Sequence, residues 1–208
     1  ITVGTGVTIG DGRVTCTTLH GSAANCTQIP AANIVGVCTS GLTKTGGFSL
    51  PTDIDAWAIS SGYTASSGSN TMTTNWYQFS TASDTHFPKI GDSMSESSGI
   101  WTFPKPGIWT VDFVLGCYNV DNNSGTYFGF QMFFSTDTGS SYDRIYTAYG
   151  NMTSDDDHGE LFVRAYIDVT NVSTNRLKFN TNMAASKSIF GDADEMRTGA
   201  IFTRIGDT

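Results

Sequence analysis

The residues best suited to chemistry in this chain are the acidic run Asp155-Asp156-Asp157-His158-Gly159-Glu160. Hard divalent cations take several carboxylate oxygens converging from one loop, so Asp155, Asp156, Asp157 and Glu160 are the candidate ligands for Ca2+. The same residues also make an ordinary solvated hairpin loop. That second reading is preferred, so no metal and no cofactor are expected. Gly191-Asp192-Ala193-Asp194-Glu195 is a weaker case of the same pattern. His20, His86 and His158 lie far apart, without the i, i+2 or i, i+4 spacing of a zinc pair. Serines abound, yet no G-x-S-x-G elbow presents one as a nucleophile. The expectation is therefore a protein that binds rather than catalyses, with paired carboxylates on a glycosidic bond as the reaction class to suspect otherwise. Tyr118, Tyr142, Tyr146 and Tyr149 are the candidate receptor contacts, because a tyrosine joins an apolar ring to a polar tip. The competing reading places such rings in the core or in a subunit interface. The sequons at Asn25, Asn122, Asn151 and Asn171 matter only in a eukaryotic secretory pathway.

Bulk composition narrows the partners. With 11 basic against 19 acidic residues the net charge is −8, and nucleic acid is not expected, because phosphate binding needs a concentrated positive surface. No apolar run approaches the ~18 residues of a membrane span, so membrane insertion is not expected. The chain opens Ile1-Thr2-Val3-Gly4, without a charged and apolar leader or an initiator Met. Ile1 is thus expected to follow a cleavage or a longer precursor. Cys16, Cys26, Cys38 and Cys117 are spaced neither as CxxC metal pairs nor as a dense disulfide framework. They read as buried free thiols, with a 16–26 or 26–38 bridge left open.

The elements that would position these residues are strands. Charged residues make up only 14% of the chain while Gly numbers 23, a composition that avoids helix-forming surfaces. Residues 1–52 are short alternating pieces cut by Gly, each too short to bury a core alone, and read as an extended β-rich stalk or attachment arm. From residue 53 to 208 the alternation becomes regular. Strands are expected near 54–59, 76–79, 100–103, 108–115, 127–134, 144–149, 161–169, 177–180 and 200–205, with turn chemistry at 121–125, 137–140 and 191–192. Strands without any helical period mean an all-β sandwich or barrel. Phe128, Phe130, Met132 and Phe134 share one face of their strand, and Leu161, Val163, Ala165, Ile167 and Val169 share one face of theirs. The opposite face of the latter carries Phe162, Arg164, Tyr166 and Asp168, a mixed aromatic and charged row that suits a subunit interface.

The stretch Ser97-Ser98-Gly99-Ile100-Trp101-Thr102-Phe103-Pro104-Lys105-Pro106-Gly107-Ile108-Trp109-Thr110-Val111-Asp112-Phe113 resembles the central signature of the C1q/TNF-like jelly-roll family. Ile54-Asp55-Ala56-Trp57-Ala58-Ile59 is similar to that family's opening strand, and Thr198-Gly199-Ala200-Ile201-Phe202-Thr203-Arg204-Ile205 to the terminal strand near its trimer axis. The resemblance implies a homotrimeric head over 53–208, with Phe202 and Arg204 joining Phe162, Arg164 and Tyr166 as interface candidates. No collagen Gly-X-Y precedes it. Gly21-Ser22-Ala23-Ala24-Asn25-Cys26-Thr27-Gln28-Ile29-Pro30-Ala31-Ala32-Asn33-Ile34-Val35-Gly36 instead resembles a linker of tailed-phage fibre proteins, with Cys26 in place of a Leu. Together these resemblances imply a virion surface protein: a fibre or appendage head that meets other virion proteins through its N-terminal segment and a host cell-surface glycan or protein through its loops. The alternatives are a capsid decoration protein, a passive fibre spacer, or a secreted C1q-like recognition protein.

Overall fold

Alternation in the sequence becomes strands in space. The computed structural model of the chain describes residues 7–10, 13–16, 51–79, 87, 89–119, 127–154 and 156–208. Two compact units divide the chain, Ile1–Gly47 and Phe48–Thr208. In the first, β1 (Val7–Gly10) pairs antiparallel with β2 (Arg13–Cys16). The fibre-like linker, His20, His86, Cys26, Cys38, Asp155 and the 121–125 turn lie outside the described residues.

The second unit comprises β3 (Asp53–Ile59), β4 (Tyr63–Ala65), β5 (Gly68–Thr71), β6 (Trp76–Gln78), β7 (Ser95–Ser97), β8 (Ile100–Thr102), β9 (Gly107–Asn119), β10 (Tyr127–Ser135), β11 (Asp143–Asn151), β12 (His158–Val169), β13 (Arg176–Met183), β14 (Lys187–Ile189) and β15 (Gly199–Gly206). Every strand expected from the sequence falls on one of these. A six-stranded sheet runs β11-β10-β13-β8-β7, with β5 also on β13. A seven-stranded sheet runs β4-β14-β9-β15-β3-β6, with β12 on the other edge of β9. All pairs are antiparallel, and the two sheets stack as a jelly-roll sandwich. At the β7–β8 turn, Ser98 and Gly99 take φ of 53° and 80°, the left-handed pair that a two-residue hairpin requires.

The core is aromatic. Trp101, Trp109, Phe113, Phe130, Phe179 and Phe202 have no exposed surface, and burying each such ring contributes roughly 1.5–3 kcal/mol. Rings from the two sheets meet directly: Phe113 of β9 stacks on Phe179 of β13 at 4.5 Å, and Trp101 of β8 lies 4.9 Å from Phe202 of β15. The row expected on β10 is inward as far as Met132. A register shift at Met132/Phe133 then leaves Phe134 only partly buried against the core.

Two carboxylates also face inward from β3, which alternation alone does not foresee. Asp55 accepts from the Met94 N–H and from Trp57 Nε1, both at 2.8 Å, and from Gln78 Nε2 at 2.7 Å. Asp53 accepts from the Asp92 N–H at 2.7 Å, Lys105 Nζ at 2.9 Å and Thr52 Oγ1 at 2.8 Å. Burial alone would push the Asp53 carboxyl up, but these donors together hold it below its ordinary value. Both acids tie β3 to the 89–94 segment, where buried polar groups are tolerable because they are satisfied. At the other end of the sandwich, buried Lys187 donates to Asn119 Oδ1 at 2.8 Å. Cys117 beside it is a free, buried thiol, as its sequence suggested, and burial pushes it up to about 12 despite the nearby Lys187 cation. Such a thiol is protonated and unreactive at neutral pH.

Candidate functional site

Among the described strands, β12 pairs with β9 alone, residue by residue from His158 opposite Tyr118 to Val169 opposite Gly107. The period of two sends Val163, Ile167 and Val169 into the core, with Leu161 and Ala165 packed at its margin. Phe162, Arg164, Tyr166 and Asp168 therefore point outward. Phe162 and Tyr166 are 63% and 67% exposed, the most open of the large apolar side chains described. Between them, Arg164 lies opposite Asp112 of β9 and donates through Nε at 2.6 Å and Nη2 at 2.7 Å to its two carboxylate oxygens. That carboxylate holds the guanidinium even more firmly protonated than usual. The fork fixes the side chain and supplies its counter-charge on the same subunit. A charge that enters an interface already paired does not leave an uncompensated ion when water is excluded.

The same face continues across the sheet. Register places Ile108, Thr110 and Val114 of β9 beside the aromatic row, then Ile201 and Thr203 of β15. Further on, Ala56 and Ala58 of β3 lie beneath Phe79, whose ring stacks on Phe87 at 4.5 Å, with Met196 against the cluster. The outward side of this sheet is thus apolar over much of its width.

Two interface candidates from the sequence do not lie on it. Phe202 pairs with Val111 and Asp55, both inward positions, and is wholly buried within its own subunit. Arg204 continues that inward row at the end of the sandwich, donating Nε to Pro106 O at 2.8 Å and Nη1 to Thr52 Oγ1 at 3.2 Å, and pairing with Asp207. The resemblance located the terminal strand but not which of its faces is outward. The outward residues there are Ile201, Thr203 and Ile205.

At the His158 end of β12 a cleft of about 350 Å3 opens between Gly116, His158, Glu160, Phe190, Met196 and Arg197. Gly116 makes room for it: a Cβ there would come within 2.7 Å of Arg197 O. Tyr118 stacks beside this cleft on Phe190 at 5.3 Å and on His158 at 5.8 Å. Arg197 lies 5.6 Å from the centre of the Phe190 ring and pairs with Glu195. The other candidate tyrosines are on or near β11, in the opposite sheet. Tyr142 packs under Lys178 at 4.2 Å, Tyr146 stacks on Phe130 at 6.3 Å, and Tyr149 accepts from Asn182 at 2.8 Å.

Of the candidate Ca2+ residues, Asp156, Asp157 and Glu160 are among the described ones. Asp157 accepts from the backbone N–H groups of Thr153 and Ser154, both at 2.8 Å, and these bonds lower its pKa. Asp156 takes a φ of 59° in the turn, and Glu160 faces the cleft. Among the described residues, no three His, Cys, Asp or Glu side chains are grouped to hold a metal ion.

This two-sheet, antiparallel architecture is that of the TNF-like jelly-roll proteins. A TNF protein, Eiger, from S. frugiperda superposes with a TM-score of 0.57 at 11% identity, over 76% of this chain and 96% of that one. Murine APRIL superposes with a TM-score of 0.51 at 10% identity, over 73% of this chain and 98% of that one. No protein-family model and no curated protein sequence matches the chain.

Proposed function

We propose that residues 53–208 are the trimeric head of a virion surface appendage, such as a tailed-phage fibre, that attaches the particle to a cell-surface receptor without catalysis. The observation that carries the reading is the outward row Phe162–Arg164–Tyr166 on a TNF-like sandwich. Two exposed aromatics flank an arginine already paired to Asp112, a combination typical of the centre of protein interfaces. A cyclic trimer needs a heterologous contact, one patch against a different patch on the next copy. The apolar side around Ile201 supplies the second patch. The N-terminal segment, with its fibre-like linker, would join other virion proteins. Three copies of a weak site on one rigid head raise avidity through effective concentration.

Light scattering on the purified chain, followed by incubation of the labelled protein with candidate host cells, tests both halves. A stable trimer that decorates cells is expected. A monodisperse monomer at micromolar concentration would overturn assembly, and a trimer that binds no cell would replace attachment by capsid decoration or a passive spacer.

A further inference from the structure

We propose that Tyr149 and Tyr127, on the outer face of the six-stranded sheet, form the stacking corner of a binding site for a neutral saccharide. Gly129 of β10 stands opposite Tyr149 of β11. A Cβ on Gly129 would come within 2.6 Å of Tyr149 Cδ1, so the phenol ring lies across the glycine, yet the residue remains 53% exposed. One side of the ring rests on the sheet and the other meets solvent. Asn182 Nδ2 donates to Tyr149 Oη at 2.8 Å and fixes how the ring is turned. Tyr127 sets its own ring at 89° to that of Tyr149, with the centres 5.5 Å apart. A flat ring with a second ring at right angles is suited to a pyranose, whose axial C–H groups are drawn to the negative face of an aromatic.

The surroundings supply hydrogen bonding without charge. Asn182 pairs in register with Ser69. Ser69 Oγ donates to Gln131 Oε1 at 2.7 Å, Asn180 Nδ2 donates to Ser69 Oγ at 3.0 Å, and Thr71 Oγ1 donates to Asn180 Oδ1 at 3.0 Å. Gln131 and Asn180 in this ladder are nearly buried and bonded to their neighbours, so the polar groups within reach of a sugar are the exposed Ser69 and the half-buried Asn182, which combine donors and acceptors as vicinal hydroxyls require. The basic groups of the described sheet stand further along it: Lys178 and Arg144 flank Phe133, Lys178 is already held over the rings of Phe133 and Tyr142, and Arg176, opposite Ser135, donates to the carbonyls of Val172 and Asn175. In a chain of net charge −8, a corner with no cation beside it among the described residues favours an uncharged ligand over a sialylated, uronic or phosphorylated one. The site names the ligand chemistry for the attachment reading, and it rests on that reading only for where the sugar comes from.

Saturation-transfer NMR of the full chain with a panel of neutral gluco-, galacto- and manno-configured oligosaccharides tests the site. Transfer to sugar C–H protons is expected for at least one of them. Tyr149→Ala should weaken binding about tenfold or more, and Tyr127→Ala several-fold, in keeping with the worth of aromatic stacking. Tyr149→Phe keeps the cover over Gly129 while releasing Asn182, so a partial loss separates a ligand site from a ring that only shields the backbone. No transfer from any neutral sugar, unchanged binding by Tyr149→Ala, or preference for an anionic sugar or a basic peptide would overturn the proposal. Light scattering on the same samples separates the readings: a monomer that binds sugar keeps this site and sinks the trimer, and a trimer that binds none does the reverse.

Discussion

The two sheets of the sandwich bury similar aromatic rings, but their outer faces differ in kind. The seven-stranded sheet presents Phe162 and Tyr166 around a paired arginine, with Ile201 alongside and the already buried Ala56–Phe79 cluster beyond it. The six-stranded sheet presents Gln131 and Asn180, nearly inaccessible on an outer face because the ladder of amides and hydroxyls around Ser69 occupies them, and beside it the flat ring of Tyr149. A face of the first kind gains by excluding water, whereas one of the second kind already has its polar groups satisfied and stays soluble. One fold can therefore assemble through one sheet and present the other.

The strongest way to break this comparison is to remove the aromatics from the first face. The double variant Phe162→Ser/Tyr166→Ser should weaken self-association by about a hundredfold or more, since buried interface aromatics are worth ~2 kcal/mol or more each. It should leave the thermal unfolding of the monomer nearly unchanged. Next in size is Asp55→Ala, which strands the Met94 N–H and Trp57 Nε1 and leaves Gln78 Nε2 with Ser93 Oγ. Unfolding in urea should show a loss of about 3 kcal/mol or more, a cost to the shared scaffold that favours neither face. Gln131→Ala cuts the ladder on the second face. It should cost about 1–2 kcal/mol in the same assay, with no change in self-association.

Acid should affect both sheets alike. Asp53, Asp137 and Asp157 are all held below the ordinary carboxylate value of 3.8, Asp137 at about 2 through the Ser141 hydroxyl and N–H and the Ser135 hydroxyl. A carboxylate with a depressed folded pKa adds stability that is fully present above its unfolded value and is lost as pH falls through the folded one. The midpoint of urea unfolding should hold steady from neutrality to about pH 5 and fall between about pH 4 and 2. A decline that begins near pH 6 would contradict the assignment to these carboxylates.

Much of the scaffold was legible because alternation is a local signal. The inward rows of β10 and β12 were readable from Phe128, Phe130, Val163 and Ile167, and the outward row around Tyr166 followed from the same count. Non-local facts were not readable. Asp112 lies 52 positions from Arg164, and only the β9–β12 register makes them partners. Family likeness makes Phe202 an interface candidate, while its register against Val111 sends it into the core. Asp53 and Asp55 sit at inward positions that alternation assigns to apolar side chains. Three of their donors, the Asp92 and Met94 N–H groups and Lys105 Nζ, come from the 89–105 region, which nothing in residues 53–59 announces. Tyr149 was visible as a candidate, but the glycine beneath it and the Asn182 bond that turns its ring depend on the neighbouring strands β10 and β13.

The most direct test of the central claim is sedimentation of the purified chain beside its Phe162→Ser/Tyr166→Ser variant at micromolar concentration. A trimer is expected for the protein and a folded monomer for the variant. Identical masses for the two, whether both monomer or both trimer, would contradict assembly through the outer face of the seven-stranded sheet.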